Sequence, residues 1–477
     1  MRSNEPVFNN EKTFEGGPAA VKIPPVKQLI RQVATCMLFE NTFYEKGSQI
    51  AEEIAETCKQ VPVMDIATTA ILAREDFKLR HVPLFLLAQL DLRRSEMKGL
   101  VAATTERVVQ RPDEMAELLS IIEKVNPGKP IKKILSAQIK KGLAKAFQKF
   151  NEYQLAKWNR DNKIKLRDVM FLVHPKPKTF KDENSVVVGD AFVERKYGNA
   201  VKRVQRHLTG QGATWKKLVD GTLETPDTWE VALSAGKDRK ETFERLIQEK
   251  KLGYMALLMN LRNMEQAGVN FSLVENALRE GAPHSKALPF RFVSAFLAAP
   301  SYAQALSDAM LEAITKEPLH GSTFMLIDVS ASMDDTLSQK GTLNRWQAAA
   351  ALAILLREVC QSIRVFTFSS IVVEVANLRG LGLLESIKLS QPHHSTLLGS
   401  AVDKLMRLNS TPDRLICITD EQSEDGIGRL KPSVRGYLVN VAPYKPGLET
   451  SGGWTRINGF SERILDWIRF EESSLAE

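Results

Sequence analysis

The strongest constraint in this 477-residue chain is a change of hydrophobic period near residue 320. From about residue 26 to 316, apolar side chains recur at i, i+3 and i+4. Segments such as SQIAEEIAETCKQ, MDIATTAILAREDF, EMAELLSIIEKV and ERLIQEKKLGYMALLMNLRNMEQAG carry that pattern, which marks one face of an α-helix. Breaks at Lys46-Gly47, Pro62, Pro83, Pro112 and Pro127-Gly128 divide the first half of this region into short helices. No clean sequence repeat is present, yet many short helices joined by tight turns predict an α-solenoid of paired helices. Beyond residue 320 the pattern becomes β-rich: STFMLIDVS, SIRVFTFSS, IVVEVA, RLICITD and RGYLVNVAP alternate with the helical RWQAAAALAILLREVCQ, TLLGSAVDKLMRLN and SERILDWIRF. Such alternation predicts a parallel sheet with helices on both faces. The expected protein is therefore multidomain: all-α over residues 1–319 and doubly wound, Rossmann-like α/β over 320–477. KEPLH is the linker and His320-Gly321 the boundary.

Composition narrows the function classes. No apolar run approaches the ~20 residues of a membrane span, and the polar MRSNEPVFNNEKTFEGG start lacks a signal-peptide core. Four scattered cysteines (Cys36, Cys58, Cys360, Cys417) indicate neither a disulfide framework nor a zinc cluster. Reduced thiols in a cytoplasmic protein are expected. The net charge of +8 is uneven: residues 320–477 hold 16 Lys/Arg and 18 Asp/Glu, so the first 319 residues carry a net +10. A polyanionic partner is expected for the helical part alone.

LIDVSASMDD, residues 326–335, ends a buried strand on Asp328, Ser330 and Ser332, spaced so that all three can face one point. Hydroxyl and carboxylate oxygens are hard ligands suited to Mg²⁺ or Ca²⁺. Together with Thr396 in HHSTLLGSAVDKL and Asp420 in LICITDEQS, the pattern resembles the metal-ion-dependent adhesion site of von Willebrand factor A domains. The resemblance covers about 320–477. It implies that Ser330, Ser332 and Thr396 touch a divalent cation, Mg²⁺ foremost and otherwise Ca²⁺ or Mn²⁺. Asp328 and Asp420 would act directly or through water, and a sixth position would take an acidic group from a protein partner. Two positions depart from the family: Glu421 stands where glycine is usual, and HHST replaces paired glycines. A phosphoryl-accepting aspartate is a competing reading of Asp328. However, no second carboxylate follows at two residues' distance, and His393 and His394 need no role as bases. The cup reads as a binding site, and no enzymatic activity is expected.

Positive charge is densest over 124–167. Ile131, Leu135, Ile139, Leu143 and Phe147 form one apolar face at steps of four. Lys141, Lys145 and Lys149 form a second stripe, with Lys132, Lys133 and Lys140 beside it. Like charges at i, i+4 cost a few tenths of a kcal/mol each, which phosphate binding would offset. GLAKAF, Lys157-Trp158-Asn159-Arg160 and LRDVMFLVHPKPK are similar to the middle of the TROVE domain of Ro autoantigen RNA-binding proteins. CMLFENTFYEKGSQIAEEI resembles the early helix of the same family, in its bacterial form. Over roughly 20–316 this resemblance, followed by an A domain, reproduces the Ro domain order.

That order implies a ring of HEAT-like helical pairs completed by the A domain. Noncoding Y-like RNA would lie on its outer basic surface, and single-stranded 3′ ends of misfolded RNA would enter the hole. By motif position Lys157 and His174 match RNA-contacting residues, and Lys141 and Lys145 match the preceding basic helix. Arg160 is the nearest arginine to a position that strict spacing gives to Asp161. His174 can equally be a buried, satisfied histidine, and Trp158 reads as core or ring lining rather than a stacking platform. The leading expectation is a monomeric, non-enzymatic ribonucleoprotein component for noncoding RNA quality control, presenting RNA to an exoribonuclease or helicase. The alternative is a metal-dependent protein-interaction adaptor on a helical platform, with no physiological RNA.

Overall fold

The computed structural model describes residues 24–35, 47–161, 163–177, 179–181, 187–189, 210–285, 287–314, 317–337, 343–441, 453–458 and 463–473. Cys36 and the FENTFYEK part of the early helix lie outside the described residues. The chain divides into two compact units, residues 55–227 and residues 1–54 with 228–477. The change of secondary structure near 320 therefore falls inside the second unit.

Residues 55–227 are built from short helices. After α1 (Pro25–Thr35) and α2 (Gly47–Gln60) come α3 (Val63–Glu75), α4 (His81–Leu92), α5 (Leu100–Val108) and α6 (Pro112–Val125). Next are α7 (Ile131–Ile134), α8 (Ala137–Phe147), α9 (Glu152–Trp158) and α10 (Leu166–Val173). A hairpin of β1 (Thr179–Lys181) and β2 (Val187–Gly189) precedes α11 (Gly210–Asp220). α3 packs on α4 and α5, α4 on α6, α5 on α8, and α8 on α10, the paired-helix arrangement expected from the pattern. The apolar face Ile131–Phe147 is not one helix. Ser136 turns extended as the N-cap of α8, its hydroxyl accepting from the Ile139 N–H at 3.1 Å and donating to Asp91 Oδ1 at 2.5 Å. Capping outweighs the propensity to continue. Leu135, Ile139, Leu143 and Phe147 are still buried, while Ile131 is only half-buried.

In the second unit, α12 (Trp229–Ser234), α13 (Arg239–Gln248), α14 (Tyr254–Gln266), α15 (Phe271–Gly281), α16 (Pro289–Ala298) and α17 (Ala303–Ala313) lead into a six-stranded sheet. Its elements in chain order are β3 (Leu319–Asp328), α18 (Arg345–Val359), β4 (Cys360–Phe368), β5 (Val372–Glu374), α19 (Leu381–Lys388) and α20 (Leu398–Met406). β6 (Arg414–Thr419), β7 (Arg435–Asn440), β8 (Trp454–Asn458) and α21 (Ile464–Ser473) complete it. The strand order is β5-β4-β3-β6-β7-β8, parallel except for the antiparallel edge strand β5. β8, α19 and the β1–β2 hairpin carry too few residues to show a period and were not expected. α18 is buried on nearly every side, and its Ala348–Ala351 run allows close approach to the sheet. α16 packs against α18. The first described helix, α1, docks on β8 and α21: Arg31 Nη1 donates to the Arg456 carbonyl at 2.6 Å, and Lys27 pairs with Glu471 at 3.3 Å. β3 is flanked by β4 on one side and β6 on the other. The chain thus reverses direction across β3, and Asp328 and Asp420 lie at the carboxyl ends of the strands that border the switch point, where ligands gather in this fold.

The seat of the basic helix α8 depends on Gly142. A Cβ there would lie 2.5 Å from Thr105 Cβ and 2.7 Å from the Ala102 carbonyl oxygen of α5. Gly142→Ala gains about 1 kcal/mol of helix propensity but forces the two helices apart. A net loss of about 1–2 kcal/mol is expected in denaturant unfolding. Unchanged or raised stability would show that α5 and α8 can separate freely.

Candidate nucleic-acid interface and candidate metal centre

Thirteen Lys/Arg and only two acidic residues occupy 124–167, and the structure sorts the cations by what holds them. Lys145 pairs with Glu106 at 2.7 Å. The Lys149 ammonium is turned onto the Glu106 and Val109 carbonyls at the end of α5, where burial, partly offset by Glu106, lowers its pKa. Lys149 thus serves as a C-terminal cap for α5. Lys132, Lys133 and Lys141 are exposed and Lys140 half-exposed, and none has a carboxylate partner among the described residues. Lys157 and Arg160 are likewise exposed without a carboxylate partner. Asp161 pairs with Lys165 at 2.5 Å, so it does not neutralise Arg160. His174 is exposed rather than buried. It ends α10 in the left-handed region (φ 49°), and its N–H donates to the Met170 carbonyl at 2.9 Å.

Two aromatic residues stand beside this surface, Trp158, which the sequence assigns to core or ring lining, and Tyr153, which it does not single out. Trp158 is half-buried, with the Arg111 guanidinium carbon 3.6 Å from its ring centroid, Arg160 at 5.1 Å and the Lys157 ammonium at 5.8 Å. Tyr153, one turn before Lys157 on α9, is 47% exposed. The core position of α9 is Leu155 instead. The aromatic–basic alternation of EYQLAKWNR was the only available signal for either ring.

In the α/β region the three loops of the expected metal cup are hydrogen-bonded together. The Ala331 N–H donates to the His394 carbonyl at 3.4 Å, and the Glu424 N–H donates to the Thr396 carbonyl at 3.0 Å. Asp328 and Asp420 are fully buried. Asp328 Oδ1 accepts from the Ser330 N–H at 2.8 Å, and Oδ2 accepts from the Thr419 hydroxyl at 2.6 Å. The Ser330 and Ser332 hydroxyl oxygens are 3.3 Å apart, close enough to share one cation. The Thr396 hydroxyl has no hydrogen-bond partner among the described residues. His393 approaches Asp334 at 3.3 Å, at the rim of the same loops.

One neighbour of the cup was not anticipated. Arg345, the first residue of α18 and only 1% exposed, donates through Nη1 to Asp420 Oδ2 and to the Ser332 carbonyl, both at 2.9 Å. Glu421 has φ 61°, a left-handed conformation that glycine adopts freely and that costs other residues roughly 1–2 kcal/mol. Its buried carboxylate is retained by Arg456 Nε at 2.9 Å. Among Asp328, Asp420, Glu421, Arg345 and Arg456, three carboxylates face two guanidinium groups. The excess negative charge falls on Asp328. Burial, aggravated by the nearby Asp420 and opposed by the Ser330 and Thr419 hydrogen bonds, pushes its pKa up to about 6. All-oxygen donors with one uncompensated carboxylate fit a hard divalent cation. No group of three His, Cys, Asp or Glu that could hold a metal occurs among the described residues, so hydroxyls are essential to such a site.

A TROVE domain model matches residues 212–313. Telomerase protein component 1 of Rattus norvegicus is 32% identical over 111 residues, and its Mus musculus counterpart is 33% identical over 94. Those stretches are 22% and 19% of this chain and only 4% of each relative. The crystal structure of the Deinococcus radiodurans Ro (RSR) protein superposes with a TM-score of 0.59 at 14% identity, covering 94% of this chain and all of that one.

The raised pKa of Asp328 gives the cup a pH signature. A carboxyl whose folded value exceeds its unfolded one (about 6 against 3.8) favours folding most below the unfolded value. That stability is lost as pH rises through the folded value. With divalent cations chelated at pH 7, Asp328→Asn is expected to remove a penalty of about 3 kcal/mol, and at pH 4 most of that advantage should be absent. Denaturant unfolding at the two pH values checks this, and a variant much weaker than the parent at pH 7 would contradict it.

Proposed function

We propose that this chain, whose residues 212–313 match a TROVE domain model and whose fold is that of a bacterial Ro protein, is of the Ro type and binds RNA through the cationic surface of residues 131–177. One observation carries the reading. Lys132, Lys133, Lys140, Lys141, Lys157 and Arg160 reach solvent without a carboxylate partner among the described residues, whereas Lys145, Lys163 and Lys165 around them are paired. A purely solvated face would not require that concentration of unpaired charge, and phosphates supply the missing counter-charge. Exposed His174, at the end of α10, adds a hydrogen-bonding group.

The RNA we propose is small, structured and noncoding, Y-like in form, held on the outer basic surface by shape and phosphate contacts. Single-stranded 3′ ends of misfolded RNA would enter the opening of a Ro-type ring. The protein then serves RNA quality control without catalysis, handing RNA to an exoribonuclease or helicase. Mg²⁺ held by Ser330, Ser332 and Thr396, with Asp328 and Asp420 behind them, would supply a docking charge for an acidic side chain of that partner. Arg345 and Arg456 orient and partly neutralise the site's carboxylates.

Reversal of Lys132, Lys133, Lys140 and Lys141 to Glu tests the reading. Affinity for a structured RNA is expected to fall at least about 100-fold, and the slope of log affinity against log salt by up to about 3–4. Filter binding across salt concentrations measures both, with circular dichroism confirming the fold. Unchanged affinity in the folded variant would transfer the function to the adaptor reading, in which the A-type domain alone does the binding.

A further inference from the structure

We propose that Tyr153, Trp158 and Arg111 form a base-stacking strip for single-stranded RNA, with Lys157 and Arg160 holding the adjoining phosphates. The proposal rests on the RNA-binding reading above and assigns roles to three residues outside the basic stripes. Tyr153 and Lys157 stand at i and i+4 on α9 and so share one face. The Lys157 ammonium is 5.8 Å from the centroid of the Tyr153 ring and equally 5.8 Å from that of Trp158. Two aromatic rings therefore flank one ammonium.

The Trp158 end of the strip is rigid. Arg111 lies against the indole at 3.6 Å and cannot swing away, because Asp113 grips it in bidentate fashion (2.8 and 3.1 Å). Asp113 is held in turn by Arg80 at 2.8 Å. The Arg111 side chain nonetheless remains 30% exposed, so the stacked guanidinium still meets solvent. A guanidinium plane fixed on an indole extends the platform on which a base can stack, at little further ordering cost. Lys157 and Arg160 have aromatic rings as neighbours and no carboxylate partner among the described residues, while Asp161 is engaged by Lys165. Rings interleaved with unneutralised cations are the pattern that binds single strands. A duplex keeps its base faces stacked internally and would meet only the cations.

The test uses the full chain with two fluorescein-labelled probes, a single-stranded oligouridylate and a blunt RNA duplex, followed by anisotropy over a range of salt. Tyr153→Ala, at an exposed position, is expected to weaken single-strand binding about 5- to 100-fold. It should leave the salt slope and the duplex affinity unchanged, and Tyr153→Phe should bind as the parent does. Lys157→Ala should lower the single-strand salt slope by about 0.7. Equal single-strand affinity for Tyr153→Ala and the parent overturns the strip alone. Equal losses on single strand and duplex also overturn it, because the effect would then not come from stacking. A parent protein that binds neither probe overturns the RNA reading itself.

Discussion

Glu114 lies wholly buried at the start of α6 and organises the basic helices around it. One carboxylate oxygen accepts from the N–H groups of Gln110 and Arg111, at 2.9 and 3.0 Å. The other accepts from the Arg74 guanidinium at 2.6 Å. Arg74 also donates to the Val108 carbonyl at 3.1 Å and to the Leu79 carbonyl at 3.1 Å. Burying a carboxylate costs several kcal/mol, and only complete hydrogen bonding repays it. Here the donors come from α3 and from the backbone of the turn between α5 and α6, so the buried charge fixes how these helices meet. The consequences reach the surface. The same turn ends on Arg111, whose guanidinium is thereby aimed at Trp158, and Lys149 closes the end of α5 from the other side. Part of the basic character of this region is thus internal scaffolding, which leaves a smaller set of cations for a ligand.

The cup in the α/β region follows a related electrostatic logic with a different outcome. Around Glu114 the charge is satisfied internally. Around Asp328 it is balanced for Asp420 by Arg345 and for Glu421 by Arg456, and among the described residues Asp328 itself has only neutral donors. A site that is one charge short is suited to taking up a cation. At Glu421 the backbone takes the left-handed conformation that glycine adopts freely, and the Arg456 ion pair shows what a charged residue requires to be tolerated there. Arg31 of α1 bonds to the Arg456 carbonyl, so the first described helix rests on the strand that supports the cup.

Much of this was legible in the sequence because long periodic segments and short-range spacings survive folding. The helical region, the β/α alternation, the sheet's central strands and the Asp328–Ser330–Ser332 spacing depend on local pattern. The rest depends on partners distant in sequence. Nothing near Arg345 announces Asp420, 75 residues away. Nothing near Lys149 announces that its ammonium caps a helix some 40 residues earlier. Trp158 reads from the sequence as core or ring lining; it is half-buried, and the Arg111 guanidinium that lies against its ring is distant in sequence. The break at Ser136 was hidden because the apolar period runs straight through it, while the capping bond and Asp91 decide the backbone. The compact-unit boundary near residue 228 was invisible too, because the helical pattern is the same on both sides of it.

Ultraviolet crosslinking of the native protein as purified, read by mass spectrometry of any RNA-crosslinked peptides, tests the central claim most directly. Crosslinks concentrated in peptides between residues 131 and 177, with adducts on Tyr153 or Trp158, are the expected result. An RNA-free protein, or crosslinks confined to residues 320–477, would contradict it.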